Sequence, residues 1–298
     1  MALAPAVRIA GPPMNPLHPE LVILVLVAAL THATWNALIK ASGERGATFS
    51  VVVVTGGVGG LIGVLMVPLP AVESAPYLVL SMFVHYGYYG FLMLSYRHGD
   101  LSHVYPLARG VAPLLVALGA LMFAGERLSV ASTAGLLLAS AGIMSLAFER
   151  GLPRGGDLKP VLFALGTGVF IAFYTVVDGL GVRASAAPLS YILWLQLVEG
   201  IPLTLWLVWR RPRSFFGQSG KSWRRGIAGG VLAFLAYGLV IYAMSRGGLA
   251  QVSALRETST LFAALIGAYV LKESPGGAAR RILAAGMVAA GVVTLQLG

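Results

Sequence analysis

The chain has 298 residues, of which 57% are hydrophobic and only 11% are charged. Soluble proteins average roughly 25% charged residues, so this composition excludes a soluble enzyme, and its apolar content excludes a disordered chain. The absence of cysteine excludes disulfides, cysteine-ligated metals and thiol nucleophiles. The net charge is +10. The basic residues that carry it must first be located relative to a membrane, before any binding partner is inferred from them.

Continuous apolar runs of about 20 residues, the length that crosses a bilayer as a helix, recur along the chain. They lack the short alternating pattern of barrel strands. We predict an all-α membrane protein with ten transmembrane helices, over residues 20–41, 48–67, 76–96, 101–123, 129–148, 158–181, 188–209, 226–245, 249–271 and 279–296. The proline-rich residues 1–19 are expected to form a flexible N-terminal tail. The links are too short for a soluble domain.

The lysines and arginines are distributed unevenly between the two sides of these spans. Fifteen of the 21 lie in the loops after odd-numbered spans, four lie in the other loops and tails, and Arg109 and Arg256 lie within spans. Positively charged loops stay in the cytoplasm. We therefore predict a multi-pass protein of the bacterial inner membrane, with the N- and C-termini periplasmic. The basic excess is then an orientation signal, and no nucleic-acid partner is expected.

The two halves of the chain share a sequence pattern. The residues Gly99, Leu101, Val104, Leu107, Gly119 and Ala120 recur 148 positions later as Gly247, Leu249, Val252, Leu255, Gly267 and Ala268. Chance similarity between apolar segments is the alternative to duplication. Because five spans per half is an odd number, a duplicated second half must be inverted, with a substrate site near the midplane. We predict one five-helix repeat over residues 20–150 and an inverted one over 151–298, around a central cavity.

Short motifs in a fixed order resemble the drug/metabolite transporter superfamily, in particular its EamA-type ten-helix exporters. The motifs are Trp35-Asn36 with Lys40, Pro106 and Pro113, Gly125 to Leu128, Gly135, Gly142-Ile143, Lys272-Glu273, Gly286 and Gly291-Val292. The resemblance covers about residues 20–298 and extends to bacterial exporters of amino acids, aromatic ones included. It implies a carrier of small molecules rather than an enzyme. Ala254 and Leu261 stand where the first repeat has prolines, which leaves the geometry of the ninth span open.

Four charged residues lie deep within predicted spans, namely Arg109, Glu199, Arg256 and Glu257. A charge at this depth costs roughly 2.5–3.5 kcal/mol on insertion scales, so it normally faces a cavity or a partner. Arg109 and Glu257 occupy matching positions in the two halves and carry opposite charges, so they can meet where the halves join. They form either a structural ion pair or part of an amino-acid site, with arginine for the carboxylate and glutamate for the ammonium.

Aromatic and polar residues also share helix faces near these charges. The faces consist of His85, Tyr88 and Tyr89 in the third span, Tyr105 in the fourth, and His32, Trp35 and Asn36 in the first. Spacings of three and four residues place side chains on one side of a helix. These faces either bind substrate or hold helices together through hydrogen bonds. Asp178, about a turn from the end of its span, is expected to reach into the headgroups or to serve a gate.

No metal site at ligand spacing and no nucleotide-binding glycine loop stands out, so no cofactor is expected. A histidine or a buried Glu199 can carry a coupled proton, and simple facilitated diffusion stays open beside proton coupling.

Two Gly-x-x-x-Gly motifs, at Gly56–Gly60 and Gly226–Gly230, serve packing within the chain or a dimer face. We expect a monomer or a weak dimer.

The predicted function is secondary transport, with export of amino acids or similar small metabolites by alternating access. The alternatives are an exporter of drugs and organic cations, which would bind them at an unpaired carboxylate such as Glu199, and a membrane-embedded enzyme acting on lipids. The small-molecule substrate and the lipid bilayer are the expected partners.

Overall fold

The computed structural model describes residues 14–99, 101–148, 158–210, 215–270 and 278–298. Its long elements in the described part are all α-helices. They are α1 Pro19–Lys40, α2 Arg45–Val64, α3 Ala75–His98, α4 Leu101–Gly119, α5 Val130–Ala147, α6 Lys159–Ala184, α7 Pro188–Arg210, α8 Gly220–Met244, α9 Leu249–Arg256, α10 Ser259–Tyr269 and α11 Ala278–Leu297. Among the described residues, nine helices are long and apolar enough to cross a membrane.

Several helix ends follow directly from the sequence. Proline occupies one of the first two positions of α1, α3 and α6, where its missing N–H costs no hydrogen bond. The side chains of Ser129 and Ser219 accept hydrogen bonds from Ser132 and Ser222 and so cap α5 and α8. After α4, a π-helical turn over Ala120–Ala124 ends at Gly125, whose φ of 66° suits glycine.

The predicted ninth span, whose geometry the sequence left open, is broken in the middle. Helix α9 ends at Arg256, and α10 begins at Ser259. At the break, the Glu257 and Thr258 amides donate to carbonyls only three residues earlier, at 3.1 Å each. The hydroxyl of Thr258 bonds to the Leu255 carbonyl at 2.8 Å. Hydroxyls that bond to the local backbone compete with the helical ladder, so the second half breaks its helix without proline.

The helices form a closed ring. In order around the ring, the helices are α1, α8, α2, α7, α3, α6, α4, α5, α11 and the α9–α10 pair, which packs back onto α1. If the first half is matched to the second, α1 corresponds to α6, α2 to α7, α3 to α8 and α5 to α11. The α1–α8 contact then corresponds to the α3–α6 contact, and the α2–α7 and α5–α11 contacts each correspond to themselves. A duplicated unit would produce this symmetry. The inverted repeat and its central cavity stay predictions.

Glycines allow close helix contacts on two opposite sides of the ring. A Cβ on Gly57 of α2 would lie 2.9 Å from the carbonyl carbon of Gly200 on α7. On the opposite side, a Cβ on Gly135 of α5 would lie 2.5 Å from the carbonyl oxygen of Gly291 on α11. Real Cβ atoms do not approach backbone so closely, so only glycine permits these two helix contacts.

Both Gly-x-x-x-Gly motifs are used within the chain. A Cβ on Gly60 would lie 2.6 Å from the backbone nitrogen of Leu197 on α7, and one on Gly230 would collide with Thr55 on α2. The faces that carry these motifs are therefore covered by neighbouring helices.

The predicted N-terminal tail is packed in part. The Met14 amide donates to the Arg127 carbonyl at 2.9 Å, and the Leu17 amide donates to the Gln296 side chain at 3.2 Å. The Gln251 side chain donates to the Asn15 carbonyl at 3.1 Å. Within the predicted tail, the backbone groups of Met14, Asn15 and Leu17 therefore find partners in both halves of the chain. Residues 1–13 lie outside the described residues.

Candidate functional site

Three titratable residues from three helices meet inside the ring. The Nδ1 atom of His85 on α3 lies 2.6 Å from Oε1 of Glu199 on α7. The same nitrogen lies 3.0 Å from the Ser81 carbonyl, which fixes the ring on its own helix. Asp178 on α6 completes what we call the acidic cluster (His85, Asp178 and Glu199). All three side chains are buried.

Asp178 is fully buried and does not reach the headgroups, so that expectation is wrong. Its Oδ1 accepts a hydrogen bond from the Tyr191 hydroxyl at 3.1 Å, and its Oδ2 accepts one from the Tyr237 hydroxyl at 2.5 Å. Both donors are neutral. The donors come from two other helices, α7 and α8, so the sequence of α6 alone does not indicate that this carboxylate is satisfied inside the ring.

Aromatic rings pack around the acidic cluster. The His85 ring stacks on Tyr174 with centroids 4.1 Å apart, and Tyr237 meets the His85 ring edge-on at 5.8 Å. Tyr88 meets Tyr174 edge-on at 5.6 Å and lies 5.2 Å from Tyr89. The predicted face of the third span therefore continues into a group of tyrosines, and Tyr88 and Tyr89 remain half-buried.

The second group of charges lies at the break between α9 and α10. Oε2 of Glu257 lies 2.9 Å from Nε of Arg109 on α4, and Oε1 lies 3.7 Å from Nε of Arg256. The predicted contact between Arg109 and Glu257 is confirmed. We call Arg109, Arg256 and Glu257 the basic cluster, because two guanidinium groups share one carboxylate. All three are buried.

The basic cluster is incompletely satisfied. Nη2 of Arg109 donates to the Ser259 hydroxyl at 3.3 Å. Nη2 of Arg256 is buried and has no hydrogen-bond partner among the residues that the structure describes. A buried donor without a partner is costly, and a guanidinium binds carboxylates well. Arg256 can therefore accept an additional anionic group.

Tyr174 interacts with both clusters. Tyr174 stacks on His85 and also interacts electrostatically with Asp178, Arg109 and Arg256. The acidic and basic clusters therefore share one interior region.

The other predicted site residues contribute unequally. The Tyr105 ring centroid lies 5.9 Å from the guanidinium carbon of Arg109, and His32 interacts electrostatically with Arg109. The indole N–H of Trp35 donates to His32 at 3.3 Å, and the Asn36 amide donates to the His32 carbonyl at 2.8 Å. The structure therefore brings Tyr105 to the basic cluster, and His32 interacts with this cluster through electrostatics alone. The hydrogen bonds of Trp35 and Asn36 stay within α1.

An ion pair closes the end of the ring where α4, α6 and α8 finish. Arg183 donates to Oε1 of Glu126 at 2.7 Å and to the Gly247 carbonyl at 2.7 Å. Oε2 of Glu126 accepts from the Leu249 amide at 2.7 Å and so caps α9. We call Glu126 and Arg183 the outer lock, because the charge rule predicts this end outside. The matching Glu273 lies outside the described residues.

A second carboxylate joins helices at the opposite end. Oε2 of Glu44 accepts from the Ser222 hydroxyl at 2.6 Å and from the Ser219 amide at 3.2 Å. It thereby links the α1–α2 connection to the first turn of α8, where a negative charge is favourable. These hydrogen bonds lower the pKa of Glu44 below its ordinary value.

A closed ring of apolar helices around buried charges of both signs defines a polytopic membrane protein with a polar interior. The sequence profile of the EamA-like transporter family matches residues 158–296. Residues 158–296 therefore carry an EamA-like transporter domain, which confirms the resemblance seen in the motifs.

One solved structure, titled only "Crystal structure of protein", is similar over nearly the whole fold. Its TM-score is 0.74, with 20% sequence identity over 93% of this chain and 97% of that chain. At this identity the similarity shows a shared fold. The search of curated proteins found no match.

Proposed function

We propose that this protein is a secondary transporter that exports amino acids or similar small zwitterions across the bacterial inner membrane by alternating access. The observation that carries the proposal is the pair of oppositely charged clusters in one buried interior. A zwitterion needs a donor for its carboxylate and an acceptor for its ammonium group. The basic and acidic clusters supply one of each, and Tyr174 interacts with both.

The basic cluster is the proposed carboxylate site. With two arginines and one glutamate it carries a formal excess of one positive charge. The unpartnered Nη2 of Arg256 supplies a donor aimed at no other described group. A bound carboxylate would satisfy this donor and neutralise the excess charge. An organic cation would meet repulsion here, so the organic-cation alternative is disfavoured.

The acidic cluster and its tyrosines are the proposed ammonium and side-chain site. The Glu199 and Asp178 carboxylates attract an ammonium group, and the surrounding rings of Tyr174 and Tyr237 favour cations over their faces. The half-buried Tyr88 and Tyr89 offer contact area for an apolar or aromatic side chain. This arrangement favours amino acids with larger side chains among the zwitterions.

Alternating access requires that the interior open to one side at a time. The outer lock and the Glu44 contacts join helices at opposite ends of the ring. At the glycine contacts between α2 and α7 and between α5 and α11, no side chains interlock, so these helices can slide against each other. We propose that breaking the outer lock opens the interior outward.

The test is counterflow of a labelled aromatic amino acid in proteoliposomes. Unlabelled competitors are the amino acid itself, its decarboxylated amine and an organic cation. We expect only the amino acid to compete, because the amine and the cation lack a group for Arg256. Arg256→Gln is expected to lose this selectivity, and Arg246→Gln, an exposed arginine, is the matched control. Equal competition by amine and amino acid in the native protein would overturn the zwitterion proposal.

A further inference from the structure

We infer that residues 14–17 form a strap that holds helix α9 in its closed position, and that release of this strap is a step in outward opening. We call these residues the N-terminal strap. They precede α1 and lie at the end of the ring that carries the outer lock. The inference rests on the proposed function, because it names an element that regulates access to the proposed carboxylate site.

Helix α9 separates the outer end of the ring from the basic cluster. It packs against α1 and α8, and also against α4 and α6, which lie elsewhere in the ring, so it crosses the interior. All eight of its residues are buried, and Arg256 is the last of them. At 1.5 Å per residue the helix is about 12 Å long. Outward access to Arg256 therefore requires that α9 move.

The N-terminal strap contacts the first turn of α9 directly. The buried Gln251 side chain donates to the Asn15 carbonyl at 3.1 Å. The methyl group of Met14 covers Gly248, the residue that precedes α9, so closely that a Cβ on Gly248 would collide with it. One polar contact and one apolar contact therefore join the strap to the outer end of α9.

The same strap is anchored on the α5–α11 pair. The Leu17 amide donates to the Gln296 side chain on α11 at 3.2 Å, and the Met14 amide donates to the Arg127 carbonyl, just before α5, at 2.9 Å. The Leu17 side chain is buried, and a Cβ on Gly247 would lie 2.5 Å from one of its methyl groups. Because glycine contacts hold α5 and α11 together, α9 cannot shift relative to this pair without breaking strap contacts.

The N-terminal strap and the outer lock restrain the same two segments of the chain. Glu126 pairs with Arg183 and accepts from the Leu249 amide, and the next residue, Arg127, supplies a carbonyl to the strap. Arg183 also donates to the carbonyl of Gly247, which packs on the strap. A movement of α9 that breaks the lock therefore breaks the strap contacts as well, so the two restraints are released together.

The test measures how often α9 becomes accessible from outside. The reporter is Ser253→Cys, a buried position on α9, labelled in intact cells with a membrane-impermeant maleimide and without substrate. Gln296→Met keeps the side-chain length, lies outside α9 and removes the acceptor of the Leu17 amide. We expect it to speed labelling about twofold to tenfold, the factor that corresponds to one hydrogen bond. Gln218→Met loses its bond to the Phe215 carbonyl at the opposite end of the ring and should leave the rate unchanged.

The opposite change fastens the strap. Met14→Cys combined with Gly248→Cys brings two thiols to the point where the Met14 methyl group lies on Gly248, and oxidation then joins the strap to α9. We expect counterflow of a labelled aromatic amino acid in proteoliposomes to stop on oxidation and to return on reduction. Each single cysteine variant is the control and should not respond to the oxidant.

The outcomes distinguish the strap from the transport proposal, because maleimide labelling needs no substrate. An unchanged labelling rate in Gln296→Met, whether or not its thermal stability falls, makes the strap a static contact and overturns the inference, while the transport proposal stands. Undiminished counterflow by the oxidised cysteine pair also overturns it. If Gln296→Met does not fold, Gln251→Met removes the hydrogen bond to Asn15 and is judged by the same labelling rate. Faster labelling in a protein whose native form shows no counterflow supports the strap and overturns the transport proposal.

Discussion

The guanidinium group of Arg109 on α4 lies 2.9 Å from the carboxylate of Glu257, at the point where the ninth span breaks. Because Arg256 also faces this carboxylate, Glu257 pairs with two arginines and joins α4 to the break between α9 and α10. Removing one partner of a buried pair costs about 3–5 kcal/mol, since the other is left uncompensated. We expect Glu257→Ala to be less stable than Arg109→Ala, because it leaves two like charges side by side.

Thermal unfolding in detergent measures this order, with Arg246→Ala as the control. The double exchange of Arg109 to Glu and Glu257 to Arg should recover part of the lost stability. A larger loss in Arg109→Ala than in Glu257→Ala would contradict the shared-carboxylate arrangement.

Substitutions of the aromatic residues around the acidic cluster should affect either the stability of the protein or its transport rate. Tyr174 is buried and contacts His85, Tyr88 and Tyr237, so Tyr174→Ala should cost about 3–5 kcal/mol of stability. Tyr89 is half-buried, so Tyr89→Ala should change stability little and slow transport severalfold. Flux in proteoliposomes and thermal unfolding are measured on the same preparations. Normal flux in Tyr89→Ala would remove Tyr89 from the site.

Much of the fold could be predicted because membrane spans depend on length and apolar content alone. The opposite charges of Arg109 and Glu257 at matching positions also predicted their contact, since the offset between halves places them at one depth. The break after Arg256 could not be predicted from proline, because it contains none and the Thr258 hydroxyl bonds to the local backbone instead.

The role of Asp178 could not be predicted for a different reason. Its partners Tyr191 and Tyr237 lie on two other helices, and single-sequence patterns do not reveal which faces meet. The same holds for the packing of residues 14–18, because their partners Arg127, Gln251 and Gln296 are far apart in the chain.

The orientation can be tested with single cysteines, because the native chain contains none. Lys221 and Leu297 are exposed and lie at opposite ends of the helix ring by the charge rule. We expect a membrane-impermeant maleimide added to intact cells to label Leu297→Cys and to leave Lys221→Cys unlabelled until the cells are opened. The reverse pattern would invert the orientation and turn the outer lock into an inner one.

Acid should weaken the junction between the α1–α2 connection and α8. Hydrogen bonds lower the pKa of Glu44 in the folded protein, so its carboxylate stabilises the fold at pH values above the ordinary range near 4.5. This contribution is lost as the pH falls through the lowered pKa. Glu44→Gln should therefore melt earlier than the native protein at pH 7, and the difference should shrink towards pH 3. A difference that is constant with pH would contradict a role for the charge.

The outer lock should control access to α9. All eight residues of α9 are buried, and the Glu126 carboxylate accepts from the Leu249 amide while it pairs with Arg183. A hydrogen bond to a charged group contributes about 1.5–3 kcal/mol, and partial exposure of Arg183 reduces this value. Glu126→Gln should therefore increase outward opening about threefold to tenfold.

The fully buried Ser253 on α9 is a suitable reporter, because Ser253→Cys is nearly isosteric in a chain without other cysteines. We expect the impermeant maleimide to label this cysteine slowly in the native background and faster by that factor with Glu126→Gln. Arg127→Gln alters the neighbouring charge and keeps the carbonyl that bonds to Met14, so it should leave the rate unchanged. If saturating amino acid and the Glu126 substitution both fail to alter labelling, the Glu126–Arg183 pair is a static brace and the gate lies elsewhere in the ring.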